Sequence, residues 1–179
     1  MTAPRSESTN KSLEWFEIVD DDNRIIGMAS RNQVHGNPEL IHRTSHVVVF
    51  NSNGKILLQK RSENKDIQPG KWDTAVGGHL APGEGFEEAA RRETAEELGI
   101  DPETVAMVYL FDLKIRNEIE SENVRVFAIV HDGPFEAPPE EIDELRFWTK
   151  TEINKKRGTG CFTPNLEVEF DRLEQMGKL

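Results

Sequence analysis

The sequence predicts an α/β domain in which a mixed sheet lies sandwiched between helices, an αβα arrangement. Three observations point there. Strand-like and helix-like segments are interspersed without the strict alternation of a doubly wound parallel sheet. Residues 46–51 and 55–60 form a hairpin pattern around Ser52-Asn53-Gly54, residue types that tolerate a positive φ. Residues 86–98 carry the best helical pattern, and Gly99 stands where a left-handed cap is favoured.

The elements follow in order. Residues 1–12 are polar, with Pro4, three serines and two threonines, and the segment 1–13 is read as a disordered tail before one domain over 14–179. Strands are expected at 15–19 and 24–28 around the turn-rich Asp20-Asp21-Asp22-Asn23, then a short helix over 30–35. After the hairpin, Pro69-Gly70 marks a loop, and a strand at 72–76 runs into Gly77-Gly78. Long strands at 106–115 and 124–130 follow the helix, with a loop at 134–139 and a last strand at 144–148. Helices at 151–156 and 164–176 close the chain. Trp72 and Trp148 read as core residues, and His46 and His131 as solvated side chains.

Composition narrows the function. Of 179 residues, 36% are hydrophobic and 31% charged, which suits a polar globular domain. With 22 Lys and Arg against 33 Asp and Glu, the net charge is −11. Such a surface repels duplex nucleic acid and anionic membrane. A small anionic substrate needs a metal or a local basic cluster to shield that field. The single cysteine, Cys161, excludes an intramolecular disulfide and a cysteine-based zinc site. No apolar run approaches the ~20 residues that span a bilayer, and residues 1–11 lack an apolar signal core. A cytoplasmic protein is expected.

The helix over 86–98 is poorly arranged for its own stability. Phe86, Ala90 and Thr94 make an apolar stripe at 100° per residue, flanked by Ala89 and Leu98. Glu93 and Glu97 fall at the edge of that stripe, with Glu96 beside them. Glu93 and Glu97 are a like-charged i,i+4 pair, costing about 0.2–0.5 kcal/mol. Glu96 and Glu97 sit in the last turn, where the helix dipole disfavours them by about 0.3–1 kcal/mol. The bland alternative is a solvated acidic helix. A divalent cation reverses the sign of every term, because clustered hard oxygens are what Mg²⁺ or Mn²⁺ requires. Arg92 is expected to pair with Glu88 or Glu96, and Glu84, just ahead of the helix, to cap or brace its N-terminus.

Residues 78–100 also match the Nudix box: Gly78, five residues, Glu84, seven residues, then Arg92, Glu93, Glu96, Glu97, Gly99 and Ile100. Seven fixed residue types give a chance match of roughly 10⁻⁹ per start position. Thr94 departs from the aliphatic residue that the pattern prefers. The chain thus resembles the Nudix hydrolase superfamily, coarsely over residues 15–176 and specifically in the box. The resemblance implies a Nudix fold and hydrolysis of a diphosphate linked to another group, a nucleoside diphosphate derivative or a related organic diphosphate. It implies Glu93, Glu96 and Glu97 as Mg²⁺ ligands, with Mn²⁺ as the alternative ion and the Gly77 carbonyl as a further ligand. Glu93 or Glu97 would be the catalytic base, with Glu120, Glu122 and Glu141 as alternatives. The implied partner is a small-molecule diphosphate, with a homodimer allowed.

Within that superfamily the chain is similar to the isopentenyl diphosphate isomerase branch, through residues 15–31, Lys60-Arg61, Pro69-Gly70 and Trp72. That similarity implies a second metal set of His35, His42, His79, Glu120 and Glu122, and substrate-diphosphate contacts from Arg61 and Lys65. A solvated loop over 116–123 and a solvated hairpin end are the plain alternatives. The catalytic cysteine of the isomerases is replaced here by Gly77, and a tryptophan expected near Phe162 is Asn165. The expectation is therefore a hydrolase on an isomerase-like frame. An isomerase and a non-catalytic nucleotide-binding protein remain the alternatives.

Overall fold

Strand β3, Ile41–Phe50, is the organising element of the computed structural model, which describes residues 14–65 and 67–179. The tail expected over 1–13 lies outside the described residues. Before β3 come an antiparallel hairpin of β1, Trp15–Val19, and β2, Ile25–Ser30, and a single helical turn, α1, Arg31–Val34. β4, Ile56–Arg61, pairs with β3 only at Val49 and Phe50, the end next to the turn. Beyond that point the two strands part. β4 goes on to pair with β5, Trp72–Thr74, while β6, Val76–His79, pairs with β3 from Thr44 to Val47. The single strand expected at 72–76 is thus two strands, broken at Ala75, where the chain crosses the split. A cleft opens between the diverging pairs.

On the other edge of β3 the long β8, Ser121–Val130, runs parallel to it, with His42 opposite Glu122, and β7, Val108–Arg116, is antiparallel to β8. β9, Ile142–Trp148, returns to pair with β4. The sheet is therefore mixed, as the sequence predicted.

Alternation along β3 directs its two faces to different layers. Val47 and Val49 face α2, Phe86–Leu98, and pack with Ala90, Leu98, Ile100 and Phe127. Val48 faces the other way. It joins Val124, Val126 and Trp148 against α3, Lys150–Lys156, and α4, Pro164–Gln175, through Ile153, Leu166, Phe170 and Leu173. Full burial of such side chains contributes about 1.5–3 kcal/mol each. Trp148 is core as expected, whereas Trp72 is half-buried and packs against its edge.

The helices start and stop for local reasons. Gly85 N–H donates to the Glu88 carboxylate at the head of α2, and Gly99 closes its end at φ 66°, a conformation that side chains other than glycine rarely adopt. The Thr149 and Thr163 hydroxyls accept the first free N–H groups of α3 and α4.

Candidate active site

The cleft where β3 and β4 part holds a cavity of about 880 Å³. Two groups of ionisable side chains line it, one presented by α2 and one by the strands.

The first group comes from a single helix. Glu97 is buried at 9% exposure, Glu93 is nearly so, and Glu96 stands largely in solvent. Glu97 Oε2 accepts from Gly77 N–H at 3.2 Å and from Gln59 Nε2 at 3.3 Å. Burial, reinforced by the neighbouring Glu93 charge, pushes the Glu97 carboxyl up to about 8. Burial likewise raises Glu93, although Arg92 pulls against it. A Cβ at residue 78 would overlap the Glu93 carboxyl, so only glycine lets α2 come this close to β6.

Arg92 ties the box together. Its Nε and Nη2 both reach Glu84 at 2.9 Å, Nη2 also donates to the His79 carbonyl, and Nη1 donates to Glu93 and Glu96. Glu84, held low by Arg92, is thus a brace between loop and helix, and it also accepts from Ala81 N–H. The expected alternative partner of Arg92, Glu88, is instead taken up by Gly85 N–H, because an acid in the first turn caps the helix start.

The second group is assembled from three strands. One nitrogen each of His42 and His79 and one oxygen of Glu122 lie within 4.8 Å of one another. His42 Nε2 is 3.3 Å and His79 Nε2 3.8 Å from Glu122 Oε1. Phe16 of β1 stacks on both imidazoles, and the His35 ring centroid is 5.7 Å from that of His79. Burial, then the neighbouring His42, holds His79 well below its usual value. Burial alone would raise Glu122, but its contact with His42 and the surrounding histidines turn its shift downward. Glu120, in the turn before β8, is raised by burial and by Glu122. Asn165 Nδ2 donates to both carboxylates, at 3.1 and 3.2 Å. The solvated-loop alternative for 116–123 therefore gives way to a turn and the first residues of β8.

Both groups suit a cation on their own chemistry. On α2, Glu97 is buried beside the largely buried Glu93, and two carboxylates so placed repel. In the strand group, His42 Nε2 is buried with no hydrogen bond among the described residues, although a carboxylate oxygen is 3.3 Å away. Its Nδ1 lies 3.5 Å from the Leu40 carbonyl, and its Nε2 faces the Glu122 carboxylate. Two imidazoles gathered on one carboxylate make a donor set that a divalent cation can bridge.

Arg61 and Lys65 line the same cavity, but their charge is already engaged. Arg61 bonds Asp73 at 3.2 Å and the Ile67 carbonyl, and Lys65 bonds Glu141 at 3.0 Å. His46 differs from its expected role as a solvated side chain. It is buried, and Nδ1 meets Glu169 Oε2 at 2.9 Å. Burial pulls its pKa down, but Glu169, by hydrogen bond and charge, outweighs that and raises it to about 9. Phe16, Thr44, Gln59 and Glu169 were not singled out from sequence. Only the two-residue spacing of His42, Thr44 and His46 carried a signal, a polar row on one strand face.

The NUDIX domain family profile matches residues 40–165, the span that carries the α2 carboxylates together with His42, His79 and Glu122. A Yersinia pestis protein described as an uncharacterized Nudix hydrolase is 41% identical over 157 residues, covering 86% of this chain and 81% of its own length. An isopentenyl-diphosphate Delta-isomerase of Streptomyces griseus is 32% identical, covering 87% and 82%. The crystal structure of DR0079 from Deinococcus radiodurans has the same fold, with a TM-score of 0.77 at 23% identity, covering 89% of this chain and 98% of that one. With its box built on α2 in the cleft of a mixed sheet, and with these relatives, the chain belongs to the Nudix hydrolase family.

Proposed function

We propose that this chain is a divalent-cation-dependent hydrolase that cleaves the diphosphate linkage of a small organic diphosphate, with nucleoside diphosphate derivatives the first class to screen. The observation that carries the reading is Glu97: a buried carboxylate, its pKa raised to about 8, within the field of Glu93 and opening on a cavity large enough for such a substrate. Glu93, Glu96, Glu97 and the Gly77 carbonyl would hold Mg²⁺, or Mn²⁺ in its place. A cation there screens the phosphate charge and makes phosphorus more electrophilic.

The chain's own groups supply the rest. Glu97 or Glu93 accepts a proton from the attacking water, and Glu120, Glu122 and Glu141 stand around the same cavity as further acceptors. Gly77 N–H and Gln59 hold the Glu97 oxygen in place. Arg61 and Lys65 can exchange part of their pairing with Asp73 and Glu141 for substrate phosphate. His35, His42, His79, Glu120 and Glu122 form the second set able to hold a cation.

That second set favours an alternative, isomerisation of isopentenyl diphosphate, as the Streptomyces griseus relative is named for. Gly77 offers no side chain for proton transfer there, and the only thiol, Cys161, lies on the segment before α4. The test is a substrate panel with Mg²⁺ and Mn²⁺ compared, beside deuterium uptake into isopentenyl diphosphate. Release of phosphate or a monophosphate from a panel member is the expected result. No turnover against an active control would overturn the reading, and deuterium uptake would replace it with the isomerase.

A further inference from the structure

His42, Thr44 and His46 share one face of β3, and Val48 continues that face into the core. None of the roles above uses Thr44 or His46. Both are buried, and both line the cavity. Through the β3–β6 register, Thr44 lies opposite His79 and His46 opposite Gly77, so the two residues occupy the floor between the α2 carboxylates and the strand histidines.

Each carries a feature that packing does not explain. Thr44 Oγ1 is buried without a hydrogen-bond partner among the described residues. Such a hydroxyl costs about 1–3 kcal/mol, and valine would fill the same volume without that cost. His46 is anchored from below by Glu169, a carboxylate on α4 that is 1% exposed. A carboxylate oxygen accepts, so Nδ1 donates and the ring is fixed with its other edge toward the cavity. His46 Nε2 would lie 3.5 Å from a Cβ placed on Gly77, against the strand that also touches Glu97. Residues two apart on a strand are spaced by about 6.6 Å, which suits a group with two phosphorus centres better than a single phosphate.

We propose that Thr44 and His46 form a hydrogen-bonding floor that contacts the diphosphate group of the substrate, and that Glu169 is the positioning residue for His46. This rests on the reading of the cavity as a diphosphate site. It adds two contacts that belong to neither cation set and one support buried on α4.

The test is calorimetric titration of the full chain, with Mg²⁺ present, by methylenediphosphonate, a diphosphate whose bridge cannot be hydrolysed. Thr44→Val and His46→Gln should each weaken binding about tenfold. Thr44→Val should melt at or above the wild-type temperature, since it loses an unpaired buried hydroxyl. Glu169→Gln keeps an oxygen to accept from Nδ1 and should retain most of the affinity, whereas Glu169→Met should lose as much as His46→Gln. The double variant His46→Gln/Glu169→Met should lose no more than His46→Gln alone, and additive losses would remove the positioning role. Wild-type affinity in Thr44→Val and His46→Gln, or no uptake of methylenediphosphonate by the wild-type chain, overturns the floor. A failed hydrolysis panel, with binding intact and weakened in Thr44→Val, would strike at the hydrolase reading and leave the floor standing.

Discussion

The two ionisable groups of the cavity solve opposite electrostatic problems. On α2, Glu93 and Glu97 are buried beside each other, and both carboxyls are pushed up. On the strands, Glu122 is just as buried but is surrounded by histidines, and its carboxyl is pulled down. Burial is common to both, so the partner decides the sign. The α2 group is destabilised by its own like charges. The strand group is partly compensated from within, by the contact of Glu122 with the histidines around it. Helical spacing explains the first: residues four apart on one helix necessarily share a face. Strand register explains the second, because only neighbouring strands can bring opposite partners together.

That contrast can be broken by measurement. The largest effect expected is on catalysis. Glu97→Gln should lower the hydrolytic rate by about 10²–10⁴-fold with the fold intact, since the amide keeps an oxygen for Gly77 N–H and Gln59 but cannot take a proton. Steady-state rates beside circular dichroism check it, and a rate within a few-fold of wild type would remove Glu97 from the chemistry.

Next come stability changes of opposite sign in the two groups. The folded carboxyl of Glu97 titrates near 8 and the unfolded one near 4.5. Below 4.5 both states hold the proton and nothing is lost. Between 4.5 and 8 the unfolded chain ionises first, so stability falls as pH rises. In EDTA, Glu97→Gln should therefore melt with the wild type near pH 4 and above it at pH 8.5, by on the order of a few kcal/mol. Glu122→Gln should do the reverse, destabilising the chelated protein by about 1–3 kcal/mol at neutral pH, because it removes the negative partner of buried histidines. Equal signs in the two variants would dissolve the distinction.

A smaller effect tests whether the groups bind independently. Manganese titrated into Glu93→Gln/Glu97→Gln should still occupy a site that is lost in His42→Gln. Retention of all binding in His42→Gln would show that the strand group takes no part. Smallest of all, Glu96→Gln should change stability by less than about 0.5 kcal/mol, as that side chain is largely solvated. Any loss of rate in that variant then reports cation binding and not folding.

The expected architecture and the α2 group were legible because their information is local. Gly99, the 86–98 pattern and the spacing of Glu93, Glu96 and Glu97 all lie within one helix and its cap. His42, His79 and Glu122 were reached only through a family resemblance, since no local spacing joins residues so far apart in the chain. His46 was misplaced for the same reason. A lone histidine looks solvated until α4 brings Glu169 beneath it. Arg92 was expected to pair with Glu88 or Glu96 on helical spacing; it does meet Glu96, but the loop before α2 folds back and offers Glu84 to the guanidinium in place of Glu88.

What the sequence alone determined was the helix, its acid stripe and the glycines that let a second strand come close, because backbone conformation and short-range charge are set by neighbours a few residues apart. What only the tertiary structure decided was the parting of β3 from β4, the register that sets His42 opposite Glu122, and the burial that moves Glu97 and His46 in their different directions. Desolvation and partner choice depend on what packs overhead, and that comes from segments up to 123 positions away.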